Sequence, residues 1–301
     1  MSTPKSPASK PARHRFPLII RLFKPSDYRI STWLLLGGTL QCLLLAALPR
    51  NIAFLPPILL LAFRALRGYL QATGYLHNPL TDGVNYGRST SQYPSADGTD
   101  AVKPSQDTIV ILLLCVSFSH PNGAFSHGSP IIGKYFRQMW RDANAQREKY
   151  GYLGNMPPLV VEKDKSETYG PRNGDDQGKT MVFISYWKTL DGLHSFAHSE
   201  AHMKGWLWWD RGAGAKYKHI GIGHEVYEAP AGHWENIYHN FRPFGLANAK
   251  FPVNTEGEKE GEGKVRWVSG LRPVTGKEWK GMEVRMGRAP GRVELVKAAP
   301  L

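Results

Sequence analysis

His194, His198 and His202 recur at four-residue intervals, and on a helix such positions lie along one edge. Seven of the 11 histidines fall between residues 194 and 239, and five of the nine tryptophans between 187 and 234. Imidazole is the side chain best matched to proton abstraction near neutral pH, and neutral imidazole is also a common metal ligand. His198, His202 and His224 are the candidate general bases. Trp206, Trp209, Trp234 and Tyr238 are the candidate walls of an apolar substrate site. His198 and His202 also have the i, i+4 spacing of zinc and iron sites, with His194 or His224 as a third ligand. No HExxH motif occurs, and Glu200 between the last two histidines does not restore one. A haem would need an axial histidine on a helix facing the site.

The elements around these residues read as an α+β domain. An apolar run at 109–118 is too short to cross a bilayer and rich in β-formers, so it predicts a central strand. Residues 131–150 have helical spacing, and Gly151 is placed to end that helix. A short strand is expected at 159–161, a polar loop at 162–179 and a firm strand at 180–187. Residues 190–208 predict a helix that carries the histidines and breaks near Gly205. A third strand at 219–228 places Ile220, Ile222, His224 and Val226 on one apolar face, with Glu225 and Tyr227 on the other. That makes His224 the strongest single candidate, because a polar ring buried there needs a purpose. A fourth strand at 233–241 puts Trp234, Asn236 and Tyr238 on one face. Helices on one side of an antiparallel sheet follow from this order.

Residues 30–48 are uncharged and close to the length of a membrane span. After Pro49, Arg50 and Asn51 comes a second, shorter apolar run at 52–63, kinked by Pro56 and Pro57. Basic residues flank the pair, which predicts a transmembrane hairpin with both ends on the cytosolic side. The expected organisation is a disordered basic N-terminus at 1–29, the hairpin at 30–70, a linker at 71–107, the α+β domain at 108–250 and a disordered charged tail at 251–301. The chain carries a net charge of +13, of which residues 1–32 contribute +6. That block directly precedes the apolar segment, and no nucleic-acid-binding motif is present, so nucleic acid is not an expected partner. Cys42 and Cys115 form no CxxC motif and no disulfide framework.

Residues 185–198, from Ser185 and Tyr186 to His198, are followed by His202 to Trp209, then His219 to Tyr227, Pro230 to Tyr238, and a close running from Asn240 through Pro243 and Gly245 to Leu246. Over roughly 30–248 this arrangement resembles the fungal antibiotic-biosynthesis-type monooxygenase family that includes membrane-bound monooxygenases of fumagillin biosynthesis. The resemblance implies a ferredoxin-like domain of the dimeric α/β barrel type behind the transmembrane hairpin. It also implies oxidation of a hydrophobic secondary metabolite. Gly192 departs from the family pattern and is expected to loosen the first turn of its helix; the tail beyond residue 250 also lies outside that pattern.

The expected function is therefore that of a membrane-tethered monooxygenase-like enzyme with a lipophilic substrate. Its expected location is the endoplasmic reticulum membrane, with the domain facing the cytosol. Related small monooxygenases can work without cofactor, so no cofactor is assigned. A homodimer is one assembly open to it. Two other readings stay open: a haem- or metal-dependent dehydratase-like enzyme, and a non-catalytic carrier or scaffold for a lipophilic ligand.

Overall fold

The computed structural model describes residues 30–104, 107–123, 126–161, 179–255, 264–276 and 279–288. The expected disordered N-terminus at 1–29, nearly all of the polar loop at 162–179 and the charged run at 256–263 lie outside them. The chain divides into two units, Met1–Tyr69 and Leu70–Leu301.

The first unit contains α1 (Ile30–Ala47), a single turn at Arg50–Ala53 and most of α2 (Leu55–Ala72). Both stretches are long and apolar enough to cross a membrane by length and composition. The structure corrects the expected hairpin in two ways. Neither long helix has a buried residue, so the two do not pack into a closed pair. Nor is the second segment short and kinked. Pro56 and Pro57 occupy the first turn of α2, where a missing backbone N–H costs nothing, and the helix continues past Arg64 and Arg67 to Ala72.

The second unit is built of strands and helices around a central antiparallel sheet. In chain order these are β1 (Asn85–Ser91), β2 (Ile109–Phe118), α3 (Ser129–Ala145), β3 (Tyr152–Asn155), β4 (Leu159–Val160) and β5 (Lys179–Trp187). Then come α4 (Leu190–Ala197), α5 (Glu200–Trp208), β6 (Ile220–Ala229) and β7 (Tyr238–Phe241). A single helical turn at Arg147–Tyr150 follows α3 and ends at Gly151, which takes the left-handed conformation (φ 59°). The main sheet runs β3-β5-β2-β6, antiparallel throughout, with β4 paired to β5. With β2, β3, β5 and β6 as its four strands and helices after the first and third, the unit is ferredoxin-like. The expected barrel type is corrected: the sheets are open, and β6 ends the path without closing onto β3.

Side-chain alternation gives this sheet two distinct faces. On the helix side, Val110, Leu112, Trp187, Leu193 and Phe196 form one cluster with Met139 and Ala143 of α3. Val116, Phe118, Ile132 and Ile220 form another. On the opposite side, Ile109 packs with Leu153, Leu246, Ala249 and Phe251.

That opposite side is covered by segments expected to be linker and tail. β1 lies within the expected linker and pairs with β7 and with β10 (Leu271–Pro273). It has few apolar residues to announce it. Its backbone is tied instead by Asn236, whose carboxamide accepts from the Ser91 N–H (2.6 Å) and donates to the Ser91 carbonyl (2.9 Å). β8 (Lys250–Thr255) and β9 (Lys264–Ser269) pair with each other, and a last turn at Met282–Arg285 buries Arg285. The expected disordered tail is thus folded through much of its length. The fourth strand is also shorter than expected: only Tyr238–Phe241 is strand, and residues 233–237 form a loop.

Gly192 has a steric role. A Cβ there would lie 2.3 Å from the Tyr150 carbonyl oxygen and 3.1 Å from Thr189 Oγ1. Glycine therefore lets α4 start against the Arg147–Tyr150 turn, with Thr189 capping the helix by accepting the Gly192 N–H at 3.1 Å. Gly192→Ala is expected to cost about 1–3 kcal/mol through the displacement it forces, read as a lower urea midpoint with unchanged slope.

Candidate functional site

The three evenly spaced histidines do not share a helix. α4 ends at His198, and Ser199 takes an extended conformation (φ −66°, ψ 152°) as the N-cap of α5. Its hydroxyl accepts the His202 N–H at 3.3 Å, and Glu200 in the first turn pairs with Lys204. The expected break at Gly205 is absent. Gly205 lies inside α5 because a Cβ there would sit 3.2 Å from Tyr135 Cβ, so glycine lets α5 approach α3 closely. The break at residues 198–199 separates the histidines by environment. His194 and His198 are exposed, and His198 Nδ1 is held 2.8 Å from the His194 carbonyl. His202 is turned inward.

The His202 ring sits 5.8 Å from that of Phe196, a member of the cluster on the helix face of the sheet. Its Nδ1 is buried and has no hydrogen-bond partner. Burial, the largest influence, lowers its pKa below the ordinary histidine value. The Ala197 carbonyl opposes that shift, and the charges of His224 and then His198 reinforce it. At neutral pH His202 is an uncharged imidazole with one free nitrogen in an apolar setting. Such a group can accept a proton.

A second orphan lies beside it. Trp140 of α3 stacks on Phe196 (6.3 Å, 14° between planes) and on Phe183 (6.4 Å, 28°), and its buried Nε1–H also has no partner. An indole N–H can only donate, so it needs an acceptor oxygen. Among the described residues these two are the buried side-chain polar atoms left unpaired. Both border the Phe196 ring. Each is a group that a hydrogen-bonding ligand would satisfy, Trp140 with an acceptor and His202 with a donor.

His224 lies where alternation places it but not in the expected environment. Its register partner is Leu114, so it is on the helix face, but β6 is the outer strand and the ring is exposed. It is not the buried polar ring expected from the sequence. Glu225 is on the other face and accepts the Tyr227 hydroxyl proton at 2.5 Å.

The expected aromatic walls do not converge. Trp206, one turn beyond His202, is 50% exposed, and Trp209 packs with Val116, Phe118, Ile132 and Ile220. Trp234 and Tyr238 belong to the opposite side of the sheet. Trp234 donates from Nε1 to the Asp107 carbonyl at 2.8 Å and packs with Tyr93. The Tyr238 hydroxyl accepts the Ala247 N–H at 3.3 Å near Tyr186, whose phenol burial pushes up to about 12. Trp140 lies against Phe183 and Phe196, His202 lies against Phe196, and Leu114 and Phe136 pack on the same cluster as Trp140. Trp140 and Phe136 were legible only as the core stripe of a helix.

Among the described residues no group of three or more His, Cys, Asp or Glu side chains is arranged to hold a metal ion. The break at residues 198–199 explains this for the histidine series, since it turns His194 and His198 to solvent and His202 inward.

Residues 109–246 match a family model described as "Monooxygenase af470-like". Over 283 residues the chain is 28% identical to "Monooxygenase af470" of Aspergillus fumigatus, covering 94% of this chain and 96% of that protein. Among solved structures, an aldoxime dehydratase in complex with butyraldoxime aligns at 15% identity and a TM-score of 0.31, over 51% of this chain and 34% of its own. SnoaB, a cofactor-independent oxygenase from Streptomyces nogalater, aligns at 12% identity and a TM-score of 0.22, over 40% of this chain and 91% of its own. Neither structural alignment is close enough to bear on mechanism. In sequence the chain is similar, at moderate identity, to a fungal monooxygenase family.

Proposed function

We propose that this chain is a monooxygenase-type oxidoreductase acting on a small lipophilic molecule bound on the helix face of the sheet, with His202 as the general base. The observation that carries this reading is the buried, unpartnered Nδ1 of His202 beside Phe196, and burial, which lowers the pKa of the ring, favours its uncharged form. The sequence similarity to monooxygenases supports the reaction class.

The chemistry suits a substrate whose C–H is made acidic by an adjacent carbonyl. His202 Nδ1 takes the proton, and the Trp140 Nε1–H donates to the oxygen on which the negative charge gathers. The carbanion gives one electron to dioxygen, and the resulting carbon radical and superoxide join in a C–O bond. Protonation and loss of water leave a new carbonyl, so that one methylene and one dioxygen become one carbonyl and one water. The apolar surround excludes the water that would otherwise protonate the carbanion.

Oxygen uptake by the detergent-solubilised full chain with 2-tetralone, an apolar ketone with an acidic methylene, tests this. The expected result is dioxygen consumption with one oxygen-18 atom retained in the product. A Soret band or stoichiometric iron in the purified protein would overturn the scheme. Trp140→Phe keeps the stacking but removes the N–H. It is expected to lower turnover by about 10²-fold, with a far smaller change in melting temperature.

The exposed, apolar α1 and α2 support association with a membrane, where a lipophilic substrate would concentrate. Arg64 and Arg67 within α2 and the basic residues before α1 support a cytosolic position for the second unit, and the endoplasmic reticulum membrane is the location proposed. Retention in the pellet after alkaline carbonate extraction, with the domain open to added protease in intact microsomes, is the expected outcome.

A further inference from the structure

One group of exposed apolar side chains on the second unit is contiguous, and it starts where α2 ends. The last turn of α2, Leu70–Ala72, belongs to this unit. The chain turns back on that end at once. The Leu76 N–H donates to the Leu70 carbonyl at 2.9 Å, and Gln71 Nε2 donates to the His77 carbonyl at 3.2 Å. Leu80 follows His77 by three residues, so it lies within about 11 Å of a residue bonded to the helix. It sits in the turn Pro79–Thr81, which Asn78 caps by accepting the Leu80 N–H at 3.0 Å. Arg242 joins that turn to the end of β7 by donating from Nη2 to the Pro79 carbonyl at 2.9 Å. Beside it, Phe241 pairs with Asn85 of β1, and its ring lies edge-on to that of Phe244 at 5.8 Å. The Asn240 side chain accepts the Gly87 N–H at 2.8 Å and so ties the strand ends that carry Tyr86 and Phe241. The fold leaves this rim uncovered: Leu80 is 77% and Tyr86 71% exposed, and Phe241 and Phe244 are exposed as well. Contiguous bulky apolar groups of this kind mark a surface that meets a protein or a membrane.

Two features select the membrane. The rim begins at the end of a helix long and apolar enough to cross one. Its charge also complements an anionic lipid surface. Arg88, opposite His239 on the β1–β7 pair, and Arg242 are exposed, and Asp82, the only carboxylate in residues 75–88 and 237–244, is paired with His77 at 2.8 Å. We propose that this rim docks the second unit on the leaflet from which α2 emerges. Leu80, Tyr86, Phe241 and Phe244 enter the headgroup region, where aromatic rings are favoured, and Arg88 and Arg242 meet the phosphates of anionic lipids. The inference rests on the reading of α1 and α2 as membrane segments. α2 attaches the unit at one point, and the rim adds the contacts that fix which side faces the lipid.

The test uses the full chain with Cys42→Ala and Cys115→Ala, reconstituted in vesicles of equal parts phosphatidylcholine and phosphatidylserine. A cysteine at Leu80 or at Phe241 carries an environment-sensitive fluorophore, and Glu200→Cys, in the exposed first turn of α5, is the control. The expected result is a blue-shifted emission at Leu80→Cys and at Phe241→Cys that lipids spin-labelled near the headgroup quench, with neither effect at Glu200→Cys. Arg88→Gln is expected to lower the docked-to-undocked ratio by about fivefold in these vesicles and to have little effect in pure phosphatidylcholine. A chain that does not float with the vesicles overturns the membrane reading and the docking together. A chain that floats while the labels at Leu80 and Phe241 stay as unquenched as that at Glu200 overturns the docking and leaves α1 and α2 as membrane segments. A blue shift that spin-labelled lipid does not quench and that grows with protein density gives the rim to a second copy of the chain, which also overturns the docking.

Discussion

His202→Phe is expected to abolish turnover while leaving the protein as stable as before, or more so. A positioned general base contributes about 10²–10⁴-fold to a proton transfer, and that factor goes with the imidazole. Phenylalanine fills the same space beside Phe196 and removes a buried nitrogen that has no partner. Relief of such a group is worth about 1–3 kcal/mol. In a unit of this size each kcal/mol moves the melting temperature by roughly 2–4 °C. Oxygen uptake and a thermal melt on the same preparation check both halves. A fall in both would mean that His202 serves the fold, and the functional assignment would fail.

The pH dependence has a definite sign. Burial holds the His202 pKa below the ordinary value, so between the two values the unfolded chain binds the proton and the folded one does not. The stability of the unaltered protein is fully present above about pH 6.5 and is lost as the pH falls through that window. His202→Phe should lack this component and show a flatter profile of stability against pH. The rate with the unaltered protein should persist to lower pH than free imidazole catalysis would, because the base stays neutral there.

Arg285→Met is expected to be the most destabilising of the substitutions considered. The Arg285 side chain is 5% exposed and that of Glu235 17% exposed, with Arg285 Nε donating to Glu235 Oε2 at 2.9 Å. The guanidinium also donates through Nη1 to the carbonyls of Trp279 (3.0 Å) and Lys280 (2.7 Å). Methionine replaces the bulk but leaves a buried carboxylate and two carbonyls without their donor. Breaking one side of a buried pair costs about 3–5 kcal/mol, which in this unit is a fall of roughly 10 °C in melting temperature. Adding Glu235→Gln should recover part of the loss, because the stranded charge is then gone. A double-mutant cycle by urea unfolding measures the coupling.

The sequence revealed the parts of the fold that rest on apolar patterning. The apolar run at 109–118 is β2, and the stripe of Ile132, Phe136, Met139 and Ala143 is the inner face of α3. β1 has no such pattern, since Asn85, Arg88, Ser89 and Thr90 give neither alternation nor bulk. It is strand because β7, β10 and Asn236 complete its hydrogen bonds, and those partners lie some 150 residues or more away. β8 and β9 do alternate, but the run of Glu, Gly and Lys residues between them dominates that stretch of sequence. The site was legible in part. His202 was among its candidates, but the four-residue period hid the helix start that Ser199 and Glu200 announce. The walls could not be read, because Trp140 has the same spacing as any core residue. What distinguishes it is an unpaired N–H, which only the three-dimensional arrangement reveals.

The folded tail bears on where this protein can be cut. The family model matches residues 109–246, and a fragment trimmed to that stretch would look complete by that match. It would lack β1, β8 and β10, leaving Ile109, Leu153 and Leu246 exposed to solvent and Glu235 and Asn236 without the groups that hold them. Such a fragment should be recovered as insoluble material, whereas one that begins near Leu70 and continues to Arg288 keeps both sides of the sheet covered. In this chain the part that the family model covers cannot stand without the segments on either side of it.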